Sequence, residues 1–468
     1  MTLFSRSLVR RIHILASFLI VTSYGFAGSK VIPPAVGVYH AAFPYFGPLE
    51  DRVSISVVSR FKVLAKKPIA WAYSSNNWFR GIKFPVLAVR AIYRAGAVPF
   101  IRLMPRTGFH LPDTMYSLQK IIEGKFDPEL SQWALGARKL GIPLMLEFAG
   151  EPNGDWFPWS GSENGGGETT GYGDPSLPDG PERYRDAYRH IIDLFRAEGA
   201  DKITWVLHLN SGSSPVASWN RMAAYYPGDD YIDWIGESAY GAQIHGEAWE
   251  LLTDVLDRSY PELSHISATK PLALLEYGVI DDGVPGHKAA WIREGLDSIK
   301  SGRYPGIKGV SYWHSKFRNA DGSISNMRLD SSPDVRLAYQ AEVLDPFFVS
   351  TPQFDQPVLQ VAGLDDPLPT EFVLDQNYPN PFNPFTTIQF SLPSVAFVSL
   401  KVYNSLGQEV ATLIHDELMD EGMQDVEFDG GKFSSGVYFY QLIAEIIADD
   451  EGTPGERFTS MKKMILMK

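Results

Sequence analysis

The chain has 468 residues, 42 Lys and Arg against 55 Asp and Glu for a formal charge of −13, 13% aromatic and 44% hydrophobic residues, and no cysteine. That length exceeds one hydrophobic core, so two domains are expected, and a net acidic chain without a long basic run lacks the footprint that holds nucleic acid. Zero cysteine removes disulfides, thiolate nucleophiles and Cys-ligated metal sites, leaving carboxylate, His, Ser or Lys chemistry and no implied cofactor.

The chain opens with Arg6, Arg10 and Arg11 ahead of an apolar stretch from Ile12 to Phe26 that closes on Gly25-Phe26-Ala27. This reads as a secretory signal peptide over 1–27, since a membrane anchor needs about 20 apolar residues. No later segment is that long, so no integral membrane span is expected in the mature chain.

From residue 28 to 349, eight short apolar runs recur: Ala35 to His40, Pro68 to Tyr73, Ala97 to Leu103, Ile142 to Ala149, Lys202 to His208, Tyr231 to Gly236, Pro271 to Glu276 and Ile307 to Trp313. Amphipathic stretches separate them, the clearest from Pro181 to Glu198, with Tyr184, Tyr188, Ile191, Ile192 and Phe195 at helical spacing. Eight strand–helix units predict an α/β (β/α)8 barrel, and no Gly-rich loop follows the first strand to favour a dinucleotide-binding sheet.

In such a barrel the reacting groups sit at the C-terminal strand ends. The fourth strand runs into Gly150-Glu151-Pro152-Asn153-Gly154-Asp155-Trp156-Phe157-Pro158-Trp159, and the seventh closes on Glu276-Tyr277-Gly278. Two carboxylates across a cleft are what glycoside hydrolysis needs, one donating a proton and one ionised, and the aromatics beside Glu151 offer flat faces for sugar C–H groups. Asn153 either orients the acid or a sugar hydroxyl, as a substrate contact, or simply forms the Asn-Gly turn. His208 either contacts substrate or is a satisfied core histidine, and Arg102 either binds a hydroxyl, balances the carboxylates or forms a structural salt bridge. Trp71, Trp78 and Tyr39 are read first as core; Trp156 and Trp159, in a loop, are read as substrate contacts. Glu147 shares the strand parity of Glu151 about 13 Å lower at 3.3 Å per residue, and is read as an interior ion-pair member, with the acid role as alternative.

The block from 28 to 349 resembles glycoside hydrolase family 26, a retaining family typified by β-mannanases. The resemblance is carried by the Glu151 to Trp159 run, by Trp205-Val206, by Tyr226 to Gly236 and by Pro271 to Gly278. It implies Glu151 as acid/base, Glu276 as nucleophile, Tyr240 as hydrogen-bond partner of the nucleophile and Trp313 as sugar platform. Family members often carry His before the acid/base and Arg four residues before it, whereas Gly150 and Glu147 stand here, and Asp where this chain has Glu237. The expected activity is a secreted endo-β-glycanase acting on β-1,4-mannan, with mixed-linkage β-glucan or β-1,3-xylan as alternatives and a non-catalytic polysaccharide-binding barrel as the competing class. A secreted peptidase lacks any serine elbow or zinc motif.

The loop from Ser160 to Gly180 is rich in Gly, Ser, Glu and Asp and is read as a solvated or mobile rim; its acidic residues lack calcium-loop spacing, and no metal site is expected. Residues 350–370 read as a linker. From 371 to 468, β-like runs separated by turns predict a small β-sandwich: Thr386 to Leu392, Phe397 to Asn404, Gln424 to Phe428, Gly436 to Ala444 and Met461 to Met467. This segment resembles the C-terminal sorting domain of type IX secretion, through Asn377 to Pro384, Val402-Tyr403-Asn404, Leu406-Gly407-Gln408, Gly436 to Tyr440 and the basic end from Lys462 to Lys468. The resemblance implies the type IX secretion machinery as partner and delivery to the cell surface or medium, with a carbohydrate-binding module as the alternative for the sandwich.

Overall fold

The computed structural model describes residues 29–467 apart from 48, 110, 282, 285, 320–321, 359–368, 370, 420 and 447–455. The signal-peptide reading lies outside the described residues.

Eight parallel strands close into a barrel: β1 Val38–Phe43, β2 Trp71–Asn77, β3 Val98–Met104, β4 Leu144–Phe148, β5 Ile203–Asn210, β6 Trp234–Tyr240, β7 Leu272–Gly278 and β8 Ile307–Trp313, with β1 pairing β8 to complete the ring. All eight coincide with sequence-predicted runs, several shifted toward their C-terminal ends. Helices fill the crossovers: α1 Ile55–Ala65, α2 Val86–Arg94, α3 Asp127–Leu140, α4 Asp179–Ala197, α5 Leu252–Ser264, α6 His287–Lys300 and, after β8, α7 Pro333–Val343. In α4 all five of the spaced apolar residues are buried, and Tyr188 packs edge-on to Phe148 and to Trp205 on neighbouring strands. The exception is the β5–β6 crossover, where the described residues form only a 3-10 turn, Met222–Tyr225. Pro215 and the Pro227-Gly228 pair bound the stretch in which that turn sits.

Inward residues stack in layers, as a closed parallel barrel requires. The floor is aromatic: Tyr39, Trp71, Phe100 and Trp234 meet at ring separations of 5.8 to 6.4 Å. Trp71 and Tyr39 are therefore core. Trp78 is buried against Tyr116 and is core as well. Above the floor lies a polar layer of Tyr73, Arg102, Glu147, His208 and Ser238, and above that the barrel mouth.

One irregularity decides what reaches the mouth. In the β6–β7 ladder Glu237 faces Leu274 but Ser238 faces Glu276, so Leu275 is an extra residue on β7. A side chain at Gly236, which shares the inner face, would come within 2.5 Å of Leu275 Cγ, so Leu275 points inward too. The bulge thus puts two consecutive residues on the inner face, and Glu276 enters the cleft instead of facing the helices.

The C-terminal strands form two antiparallel sheets around their own core: β9 Val373–Leu374, β10 Phe385–Leu392 and β13 Gly422–Asp429 in one, and β11 Ala396–Asn404, β12 Glu409–Met419, β14 Gly436–Ile446 and β15 Arg457–Leu466 in the other. β12 escaped the sequence reading because its residues are mostly exposed and carry little alternation. On β11, Ala396, Val398, Leu400 and Val402 are buried between exposed or half-buried neighbours. The Asn377 to Pro384 run is a strap. The buried Asn377 donates Nδ2–H to Thr386 Oγ1 at 2.9 Å, Asn380 Oδ1 accepts from the Ile465 amide at 2.9 Å, and Phe382 exchanges backbone hydrogen bonds with Ile465 and Met467. The Asn/Pro-rich opening and the basic final strand are thus one structural unit.

Candidate active site

β4 does not end as a straight strand. Ala149 and Glu151 both take left-handed backbone conformations, φ 53° and 57°, on either side of Gly150. Each such non-glycine residue costs on the order of 1–3 kcal/mol, and strain of this kind persists only where neighbours hold it. They do: the Ala149 amide donates to Leu103 O on β3 and the Glu151 amide to His208 O on β5. A Cβ at position 150 would lie 2.8 Å from Glu147 Oε1 and 3.2 Å from His208 Nδ1. The straight-strand arithmetic that set Glu147 well below Glu151 therefore fails, because the chain folds back over the buried carboxylate.

Glu147 is the hub of the polar layer. It accepts from Tyr73 OH at 2.6 Å and from Arg102 Nε at 3.1 Å, and pairs with His208 Nδ1 at 2.9 Å. Burial opposes its ionisation, but His208 first, then Arg102 and Tyr73, outweigh that and hold its pKa below the usual value. Burial works equally against a charged His208, and Glu147 overrides it so that the imidazole pKa is raised. His208 Nε2 is 2.7 Å from Ser238 Oγ, and the ring is fully buried. The structure thus makes His208 an interior ion-pair member rather than a substrate contact, and Glu147 is the ion-pair member the strand parity indicates. A histidine and an arginine, His208 and Arg102, stand on the neighbouring strands and meet at Glu147.

Glu276 sits above this layer. Its Oε2 accepts from Tyr240 OH at 2.7 Å; Arg102 Nη1 lies 3.3 Å from Oε1, near enough for ion pairing but without hydrogen-bond geometry, so that this shielded oxygen has no donor among the described residues. Burial pushes the Glu276 pKa up to about 7 against the pull of Arg102 and His208, and the charge of Glu151 adds to the rise. Tyr240 feels both carboxylates, Glu276 more strongly than Glu151, as two acids opening on the same cleft would act on it. Trp313 stacks on Phe43 at 4.0 Å and packs beside Tyr73 and Arg102, forming the wall next to Glu276.

On the opposite wall Trp156, 42% exposed, donates Nε1–H to Glu151 Oε2 at 2.9 Å. Trp159 and Asn153 take other parts than the sequence reading gave them. Trp159 is only 1% exposed, stacks on Phe157 at 4.5 Å and donates to Gly150 O at 2.7 Å, so it braces the strained turn from behind and presents no face to a sugar. Asn153 is fully buried, donating to Asn210 O and accepting from the Asn210 amide, both at 2.8 Å, and so fastens the acid loop to the end of β5. Sequence reasoning also missed Glu50, whose Oε2 accepts from Ser75 and lies 3.2 Å from Arg102 Nη1; it belongs to an irregular segment that periodicity does not reach. Tyr73 was findable, since it shares the inward parity of Trp71 on β2.

The 160–180 loop is not a loose rim. Asp179 accepts from the Gly171 amide at 2.8 Å, Glu182 from the Asp174 amide at 3.1 Å, and Arg183 donates to Asn164 O and Gly171 O at 2.6 and 3.0 Å, so the first turn of α4 holds the loop in place. Among the described residues no group of three His, Cys, Asp or Glu is arranged to hold a metal ion.

Residues 109–258 match the family model described as glycosyl hydrolase family 26, and residues 376–447 match that of a secretion system C-terminal sorting domain. Endoglucanase H of Acetivibrio thermocellus is 27% identical over 312 residues, 66% of this chain and 31% of that protein. Mannan endo-1,4-beta-mannosidase of Bacillus subtilis strain 168 is 27% identical over 182 residues, 36% of this chain and 42% of that one, and beta-1,3-xylanase TXYA of a Vibrio species is 22% identical over half of each chain. The chain spans half or less of the length of these relatives. Among the described residues no helix is long and apolar enough to cross a membrane. The chain carries a glycosyl hydrolase family 26 domain on a (β/α)8 barrel and, after it, a sorting domain that marks it as a secreted or cell-surface protein.

Proposed function

We propose that the protein is a retaining endo-β-glycanase acting on β-1,4-mannan, exported by the type IX secretion machinery. The observation that carries the reading is the pairing of Glu276, held by Tyr240 and facing Arg102, with Glu151, held by Trp156, at opposite walls of one barrel mouth. Glu276 attacks the anomeric carbon through Oε2, since Oε1 is shielded beside Arg102. Glu151 gives its proton to the leaving oxygen and then takes one from water as the glycosyl-enzyme is hydrolysed. Trp156 and Trp313 provide the apolar faces, while Asn153, Trp159 and His208 hold the machinery in position. Mannan is supported by the mannosidase relatives; mixed-linkage β-glucan is the second reading, because the endoglucanase relative aligns over a longer stretch of this chain. Reducing-end release on mannan, mixed-linkage β-glucan and β-1,3-xylan tests the substrate, and proton NMR of the first product tests retention, with the β-anomer expected first. Binding without new reducing ends on any glycan would replace the enzyme by a polysaccharide-binding barrel. Glu276→Ala is expected to lower turnover by about 1,000-fold or more without unfolding the chain.

A further inference from the structure

Arg106 lies just past the end of β3 and is only 6% exposed. Its Nε donates to Asn77 Oδ1 at 2.8 Å, and Asn77 in turn donates to Leu49 O at 2.8 Å, so the plane of the guanidinium is fixed. Three phenylalanine rings surround it: Phe109 at 4.4 Å, Phe79 at 5.6 Å and Phe157 at 5.6 Å from the guanidinium carbon. These rings come from the loops after β2, β3 and β4, and Phe157 adjoins the Trp156 that holds Glu151. Among the described residues neither terminal nitrogen of Arg106 has a hydrogen bond or an ion pair.

The contrast with Arg102 is informative. Arg102 has Glu50, Glu147 and Glu276 around it, whereas Arg106, in a chain with 13 more acidic than basic residues, has none in ion-pair contact. Burial pulls the Arg106 pKa down to about 10, with Glu50 opposing and Arg102 reinforcing the change, so desolvation of this cation is only partly compensated within the protein. Phe109 is 67% exposed, an apolar face that packing within the chain does not explain. A group that covers the Phe109 ring and brings two coplanar oxygens to the Arg106 fork would satisfy both features.

We propose that Arg106, with Phe79, Phe109 and Phe157, forms a subsite for a carboxylate-bearing sugar, a uronosyl unit of the glycan, next to the acid wall of the cleft. The ring C–H face lies on Phe109 and the C6 carboxylate takes the two terminal nitrogens, a bidentate pairing for which the planar guanidinium is suited. The inference rests on the glycanase reading for the sugar chain that carries the acid, but its test does not depend on turnover.

The probes are mannotetraose, the mono-oxidised fraction of mannotetraose in which one C6 hydroxymethyl is a carboxylate, and mono-O-sulfated mannotetraose, titrated by calorimetry into the Glu276→Ala protein at low salt. The carboxylate form is expected to bind about tenfold tighter than the neutral parent, the difference expected of a charge-assisted pair. That ratio is expected to fall to one or below when Arg106→Gln is added, to be partly kept by Arg106→Lys, and to shrink as salt is raised. A purely structural Arg106 would alter affinity for both sugars alike and leave the ratio unchanged. Equal binding of the acid and neutral forms, no binding of the acid form, a preference that survives Arg106→Gln, or a stronger preference for the sulfate ester would each overturn the proposal. Failure of the glycanase reading shows up separately, as intact protein that releases no reducing ends from any glycan.

Discussion

Arg102 Nη1 lies 3.3 Å from Glu276 Oε1, while the Nε of the same guanidinium donates to Glu147 at 3.1 Å. One cation thus serves a carboxylate in the barrel interior whose pKa its partners hold below the usual value, and a carboxylate at the mouth that burial brings to a pKa of about 7. Because the attacking group must be ionised, kcat/KM is expected to rise with pH through about 7 in the free enzyme. Arg102→Met removes the largest influence opposing the burial of Glu276, so that limb should move to higher pH. It also leaves Glu147 short of a partner, at a cost of about 3–5 kcal/mol, so the variant should unfold at lower denaturant. A pH–rate profile together with a urea titration checks both; an unmoved limb in a folded variant would show that Arg102 does not tune Glu276.

Trp156→Phe keeps an aromatic face and deletes only the Nε1–H donor to Glu151 Oε2. A hydrogen bond to a charged group contributes about 1.5–3 kcal/mol, so kcat is expected to fall by about tenfold or more while the melting temperature changes little. If kcat is kept and KM alone rises, the indole acts as a sugar platform and not as a support for the acid.

Gly150→Ala tests the fold-back over the ion pair. The added methyl would be 2.8 Å from Glu147 Oε1 and 3.2 Å from His208 Nδ1, with both acceptor and ring held on several sides. Overpacking of this kind costs about 1–3 kcal/mol. Differential scanning calorimetry should show the loss, and activity should fall further than stability because Glu151 follows directly in the chain.

Glu237 points from β6 toward α5, where Ser259 Oγ donates to Oε1 at 3.0 Å and Oε2 has no partner among the described residues. Burial, against weaker pulls from Ser259 and His208, pushes its pKa up to about 8. The folded chain therefore holds a proton that the unfolded chain has released above about pH 4.5, and stability is lost as pH rises from there through about 8. Glu237→Gln should remove that loss: near pH 4 the two proteins should melt alike, and at pH 8 the variant should be more stable by roughly 4 kcal/mol. Equal melting curves at pH 8 would mean the carboxyl is charged and solvated.

The barrel was legible because each of its strands is an apolar run ending in polar residues, and the two acids because each stands at a strand end. The roles of Trp159, Asn153 and His208 were not, because a loop position in sequence says nothing of burial: Trp159 lies behind the turn that carries Glu151, where its ring is covered by Phe157. Glu50 and Arg106 were missed for a related reason. Both reach the cleft from irregular segments past strand ends, and their relation to Arg102 and to the phenylalanine rings is fixed by tertiary approach across three loops. The 160–180 loop looked loose by composition, yet its polar residues are the ones that α4 uses to tie it down.

The extra residue at Leu275 makes the orientation of Glu276 a matter of counting. Were Leu275 paired in regular register opposite Ser238, β7 would alternate without interruption and residue 276 would turn outward, onto the helical shell, with no change in its identity. Exchanges of side chain at 275 are repairable by packing; a shift of one position in the strand is not. Shifts of register in this short stretch should therefore be far less tolerated than point substitutions, and any redesign of this barrel must keep the pairing of Glu276 with Ser238 that presents the acid to the cleft.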